Sequence, residues 1–234
     1  MSVLELPSGG RRYLQIAQHL ADSINSGVFK TGDRLPPERE LAATLEVSRT
    51  TVREALLALE IMRFVEIRLG AGVFVLPENM RERDRGDLLA VEEVGPWEVL
   101  EARRVIEGES AFRAAQRATE DQLAAMLDCI ERMEARLNDI PHFDRADAEF
   151  HMLIARAAGN SVIESYVAHL WKMRDSPLWE RWYDKTRNPG NRRRSIEDHK
   201  AIYKALKRRL PEVARTAMCA HIDVLAERFF DLNL

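Results

Sequence analysis

The chain has 234 residues, 46% hydrophobic and 31% charged, with 11 glycines and nine prolines; that is the composition of a helix-rich globular protein and excludes disorder or low complexity as its main character. No apolar run approaches the ~20 residues that span a bilayer, and the opening Met1-Ser2-Val3-Leu4-Glu5-Leu6-Pro7 lacks the basic and apolar stretches of a secretory signal, so no membrane partner and a cytoplasmic location are expected. The net charge is -3, and residues 1–76 balance nine Lys/Arg against nine Asp/Glu, so a nucleic-acid function must rest on where charge is placed.

From Arg11 to Ile24, apolar residues recur at helical spacing (Leu14, Ile16, Ala17, Leu20, Ala21, Ile24), and Gly27 is the natural stop. Pro37 can open a second helix at its first position, with Glu38 and Glu40 favouring its positive end and Leu41, Ala42 and Leu45 facing inward. A third helix follows almost at once, with Ser48 as N-cap and Val52, Ala55, Leu56 and Leu59 on its buried stripe. Two short helices this close make a helix-turn-helix. The period then changes: Val65–Arg68 and Val73–Leu76 read as strands around Leu69-Gly70-Ala71-Gly72, a hairpin wing. Residues 79–94 are polar and charge-dense and read as a linker between a DNA-binding domain over 1–78 and a second domain over 95–234.

Beyond the linker every strong pattern is helical, over about 96–118, 120–138, 141–158, 160–175, 192–209 and 211–232. Pro177 and Asn188-Pro189-Gly190 bracket a stretch rich in Trp and Tyr that is left without an element. No period of 20 to 50 residues marks a solenoid. The expected class is mainly α: a winged helix-turn-helix of three helices plus a β-hairpin, joined to an all-helical bundle. Cys129 and Cys219 lie inside helical patterns, lack metal or redox spacing and read as packing residues.

The segment Ser48-Arg49-Thr50-Thr51-Val52-Arg53 offers a major groove guanidinium forks for guanine edges and short hydroxyls for phosphates or bases. The first turns of the second helix of such a motif face the base edges. Arg39 on the preceding helix is within reach of the backbone or a base, and Gly70 lets the wing approach the minor groove. The plainer alternative makes Arg49 and Arg53 solvated helix residues, with Arg53 paired to a local acid.

Leu35-Pro36-Pro37-Glu38-Arg39-Glu40-Leu41-Ala42, Ser48–Leu56 and Gly70-Ala71-Gly72-Val73-Phe74-Val75 resemble the GntR superfamily of transcriptional regulators over about 65 residues. The resemblance implies double-stranded DNA with a palindromic operator as partner, a homodimer, and contacts from Arg39, Ser48, Arg49, Thr50 and Arg53 with Gly70 at the wing tip.

In the second domain Asp147 and His151 are four apart and project from one helix face; such a pair alone is more often a surface contact than a ligand set. His199 and His221 are equidistant from the break at Leu210-Pro211. If the flanking helices run antiparallel, both imidazoles sit about 16 Å from the turn, at ~1.5 Å per residue, and face each other. One oxygen and three nitrogen donors suit Zn²⁺, Ni²⁺ or Mn²⁺ with an open position for a ligand oxygen; the alternative is two ordinary hydrogen-bonded histidines. His19, His142 and His169 have no partner at ligand spacing, and Arg192-Arg193-Arg194 reads as a solvated helix start.

Most of residues 96–232 resembles the FCD domain of the FadR branch of that superfamily. In its metal-binding members an aspartate, a histidine four residues on and two later histidines supply the ligands, which implies Asp147, His151, His199 and His221 here. Arg103 matches the arginine that holds an effector carboxylate; its other role is an intrahelical ion pair with Glu107. Leu100–Glu109 and Leu170–Trp179 look like the hexuronate-utilisation regulators of the group, which implies a uronic or related sugar acid as effector. Trp171, Trp179, Trp182 and Tyr183 read either as a sugar-stacking wall or as core. The expectation is a transcriptional regulator, a repressor relieved by its effector, and no enzyme. Its rivals are a metal-dependent hydrolase and a DNA-binding module whose helical domain only dimerises.

Overall fold

The computed structural model describes residues 12–80 and 94–230. Contacts divide the chain into two compact units: residues up to Pro96 with Ser176–Lys185 and the segment from Phe229 on, and Trp97–Asp175 with Thr186–Arg228.

In the first unit, α1 (Arg12–Asn25) buries Tyr13, Ile16, Ala17, Leu20, Ala21 and Ile24, a stripe at three- and four-residue spacing that drives the helix onto its neighbours. Helices α2 (Glu38–Thr44) and α3 (Arg49–Ile61) follow. Pro37 is the N-cap of α2 rather than its first helical residue, its ψ of 148° being extended. The turn between the two helices passes through Glu46 at φ 52°, and Ser48 caps α3 by accepting from the Thr51 amide at 3.1 Å, satisfying an otherwise orphaned donor. Strands β1 (Val65–Arg68) and β2 (Gly72–Val75) pair antiparallel, Val65 opposite Val75 and Arg68 opposite Gly72. Arg34 bridges to Phe74 on the outer side of the hairpin. Gly70 and Gly72 supply the positive φ values, 73° and 115°, that the tight connection requires.

The second unit is helical throughout its described residues. The chain runs α4 (Pro96–Arg117), α5 (Glu120–Ala135), α6 (Ile140–Ala157), α7 (Ser161–Lys172) with a 3₁₀ turn over Met173–Asp175, α8 (Pro177–Thr186), α9 (Pro189–Lys207) and α10 (Pro211–Phe230). Most breaks carry their own chemistry. Thr119 and Gln122 form a reciprocal capping box, Asp139, Asn160 and Asn188 cap the next helices, and Gly159 and Arg209 take the left-handed conformation that ends a helix. Leu123, Met126, Ile130 and Met133 of α5 are buried, as are Phe143, Ala146, Phe150 and Ile154 of α6, and these two helices form the most extensive pairing.

Two features depart from the sequence expectations. Helix α8 forms in the Trp-rich stretch left without an element, and most of it groups with the first unit. Its Leu178, Trp179 and Trp182 are buried, the two indoles edge to face with centroids 4.9 Å apart, so these tryptophans are core. In that unit Glu60 at the end of α3, itself buried, collects Arg181 and Lys185, each at 3.1 Å. Lys185 Nζ also donates to the Ile67 carbonyl of β1. Second, Arg192 is not solvated. It is buried and donates to the Leu137 carbonyl at 2.6 Å, so α9 begins three residues earlier than its charge run suggests. No helix among the described residues is long and apolar enough to cross a membrane.

Candidate metal centre and DNA-reading surface

Asp147 and His151 lie one turn apart on α6, His199 on α9 and His221 on α10. Asp147 Oδ1 is 3.2 Å from His199 Nε2 and 3.7 Å from His151 Nε2, and the two imidazole nitrogens are 3.3 Å apart. The His221 ring centroid is 4.5 Å from that of His199 and 5.3 Å from that of His151. The equal distance of His199 and His221 from the Leu210-Pro211 break is thus realised as two facing rings. One donor atom from each of the four residues falls within 4.8 Å of all the others. Donors bound to one cation at 2.0–2.2 Å and separated by tetrahedral or octahedral angles stand about 2.8 to 3.6 Å apart. Two of the three spacings above fall in that range and the third, 3.7 Å, lies just above it. Asp147, His151 and His199 thus have close to the spacing of ligands to one divalent ion, and His221 adds a donor within 4.8 Å of theirs. None of His19, His142 and His169 belongs to this cluster.

The electrostatics favour the metal-binding form of the histidines. Burial lowers the pKa of His151, and it lowers that of His221, with help from the charge of His199, to about 3, so both imidazoles are neutral at physiological pH. Behind them stands a second ring of partners. Glu107 on α4 faces His151 Nδ1 with one oxygen and accepts from Arg103 Nε at 2.6 Å and Trp171 Nε1 at 3.2 Å with the other. Burial works to raise the Glu107 carboxyl, but Arg103 and His151 outweigh it and hold it below the usual carboxylate range. The Trp171 ring is flanked by two guanidinium groups, Arg103 at 4.4 Å and Arg174 at 4.0 Å, and Arg174 lies 3.6 Å from Asp147. Arg103 is buried in the ion pair with Glu107 and keeps a buried Nη1 without a hydrogen-bond partner.

On the DNA-binding head, Arg39, Ser48 and Arg49 are exposed and Thr50 is half-buried. Ser48 Oγ is shared with the Thr50 and Thr51 hydroxyls at 2.7 Å, so the first turn of α3 presents a compact set of hydroxyls beside Arg49. Gly70 is exposed at the wing tip, and a side chain there would meet nothing within 4 Å. Arg53, which the resemblance places in contact with DNA, is paired within the head. Its side chain is 1% exposed and pairs with Glu38 of α2, so its guanidinium is turned into the head and fixes α2 against α3.

Residues 12–75 match the model of the bacterial regulatory proteins of the gntR family, and residues 98–224 match the FCD domain. The Uxu operon transcriptional regulator of Escherichia coli K12 is 33% identical over 230 residues, covering 97% of this chain and 90% of that one. The chain is a member of the GntR family. The Exu regulon transcriptional regulator of the same strain is 34% identical over 224 residues, 94% of this chain and 85% of that one. Among solved structures, E. coli McbR/YncC superposes with a TM-score of 0.52 at 22% identity, over 95% of this chain and 98% of that one, a likeness of fold.

This GntR-family protein is accordingly a DNA-binding transcriptional regulator, and the hydrolase rival is set aside because its family and relatives are regulators. Sequence reasoning found the four-residue cluster but assigned no part to Glu107 beyond its pair with Arg103, and none to Arg174. The only available signal was the four-residue spacing of Arg103 and Glu107. The approach of Glu107 to His151 and Trp171, and of Arg174 to Asp147, depends on three other helical segments.

Proposed function

We propose that this protein is a repressor whose operator affinity is controlled by a small carboxylate effector, a hexuronate or related sugar acid, bound at a divalent metal in the FCD domain. The observation that carries the reading is the convergence of Asp147 Oδ1 with the Nε2 atoms of His151 and His199, beside His221. Asp147, His151, His199 and His221 hold the ion, whose open position takes a carboxylate oxygen of the effector. Arg103, with its unpartnered Nη1, meets the other carboxylate oxygen, and the Trp171 face lies alongside. The names of the Uxu and Exu relatives support a hexuronate as the chemistry sensed. A homodimer in the cytoplasm sets two α3 helices in successive major grooves of a palindromic operator. Arg39, Ser48, Arg49 and Thr50 contact DNA, Gly70 brings the wing close, and Arg53 braces Glu38. An effector shifts the protein off DNA only if it binds the free form more tightly than the operator-bound form.

A thermal-shift screen of glucuronate, galacturonate and related sugar acids against zinc-loaded and chelated protein tests the reading, because a ligand of the folded state raises its apparent stability. A shift that requires metal, together with loss of operator binding at the same ligand concentration, is the expected result. Absence of metal from the purified protein and of any effect of sugar acids on operator affinity would favour a helical domain that only dimerises. Tighter operator binding with effector would reverse the sign of the proposed coupling.

A further inference from the structure

The geometry points to Glu107 as a positioning residue that serves the metal centre and the effector-binding arginine at once, an inference that rests on the metal reading above. Glu107 is 1% exposed, and a carboxylate so placed is costly unless its oxygens are fully engaged. They are divided between two tasks. Oε2 faces His151 Nδ1, while Oε1 accepts from Arg103 Nε and Trp171 Nε1. An ion pair serving only to neutralise Arg103 has no need of the imidazole. A proton held on Nδ1 by a carboxylate leaves Nε2 as a bare lone pair, and Nε2 is the atom that faces Asp147 and His199.

The other two imidazoles are held differently. His221 Nδ1 is 3.4 Å from Asp198, a carboxylate with 26% of its side chain exposed, and His199 Nδ1 is buried without a hydrogen-bond partner. His151 is therefore the one ligand histidine whose tautomer is set by a fully buried acid. The same acid anchors Arg103 through Nε, which leaves Nη1 as the buried, unpartnered donor of that guanidinium. One side chain thus orients a ligand of the metal and the group that meets the effector.

Full-length Glu107→Gln tests this, since a single amide carbonyl can accept on one side only. Zn²⁺ affinity, measured by competition with a chromogenic chelator, is expected to fall 10- to 100-fold, and the visible spectrum of the Co²⁺-substituted protein to shift. Glu109→Gln, at a half-exposed position on the same helix, should match wild type in both. Arg103→Gln should lower Zn²⁺ affinity in the wild-type background and cause no further loss in Glu107→Gln. A folded Glu107→Gln protein with wild-type affinity and spectrum would overturn the inference, and additive losses would remove the link to Arg103. If Glu107→Gln does not fold, long-range ¹H–¹⁵N correlation on zinc-loaded wild type decides: a proton on His151 Nδ1 is expected, and a proton on Nε2 defeats the assignment. Wild-type protein that takes up no zinc defeats the metal reading itself, which separates the two failures.

Discussion

Arg53 Nη2 stands 2.7 Å from Glu38 Oε1, and Arg49 Nε reaches the same oxygen at 2.8 Å, so one buried carboxylate on α2 organises the opening turns of α3. Removing the inner partner leaves that carboxylate with only the half-exposed Arg49. Arg53→Ala should lower stability by about 1.5–3 kcal/mol, the worth of a lost charge-assisted hydrogen bond, read as a lower urea midpoint at unchanged slope. A variant as stable as wild type would show that Glu38 does not depend on the pair.

Arg49 differs from Arg53 in exposure, with 52% of its side chain accessible. Arg49→Ala should cost operator binding about 1–3 kcal/mol, the worth of a lost bidentate base contact, while affinity for random duplex changes little. Equal losses on operator and random DNA in a gel-shift or anisotropy assay would assign Arg49 to the backbone instead.

His199→Ala removes the donor closest to Asp147 in the cluster. Bound metal should drop by elemental analysis, and the sugar-acid response should be blunted, with operator affinity largely kept. Undiminished metal content would strike His199 from the ligand set.

The buried histidines also give the metal-free protein a pH signature. Burial first, and then the charge of His199, lower the pKa of His221 from 6.5 to about 3, and burial lowers that of His151 as well. The unfolded chain takes up protons near pH 6.5 that the folded chain refuses. Stability from these groups is therefore complete above about pH 6.5 and lost as pH falls toward 3. Glu107, also held below its ordinary value, adds a loss of the same sign below about pH 4.5. Urea midpoints of chelated protein should decline steadily from pH 7.5 to 5, and His221→Asn should flatten that decline. A level profile in wild type would mean the imidazoles take up protons in the folded chain as they do in the unfolded one.

The head was legible in the sequence because its signals are local: the stripe of α1, the Ser48 cap and the glycine turn of the wing each lie within a few residues. The cluster of Asp147, His151, His199 and His221 was legible for a related reason. A four-residue spacing and a symmetric break translate directly into faces and distances along helices. Apart from the intrahelical Arg103–Glu107 pair, the partnerships of buried charge were not legible. Glu38 with Arg53, Glu60 with Arg181 and Lys185, and Arg192 with the Leu137 carbonyl join residues far apart in the chain, and an exposed arginine has the same one-letter code as a buried one. Helix α8 was missed although Leu178, Trp179, Trp182 and Tyr183 recur at helical spacing, because it is only 10 residues long and lies between Pro177 and Asn188-Pro189-Gly190, which read as breaks.

The division of the chain places Ser176–Lys185 with the head, while the residues on either side belong to the helical unit. The head is therefore discontinuous in sequence, and the FCD unit occupies an interruption of it. A fragment ending at residue 80 would not be the native head: Glu60 would keep its burial demand and lose both cations that answer it. Deletion studies of this regulator thus need the returning helix grafted back, because the chain crosses between the two units more than once.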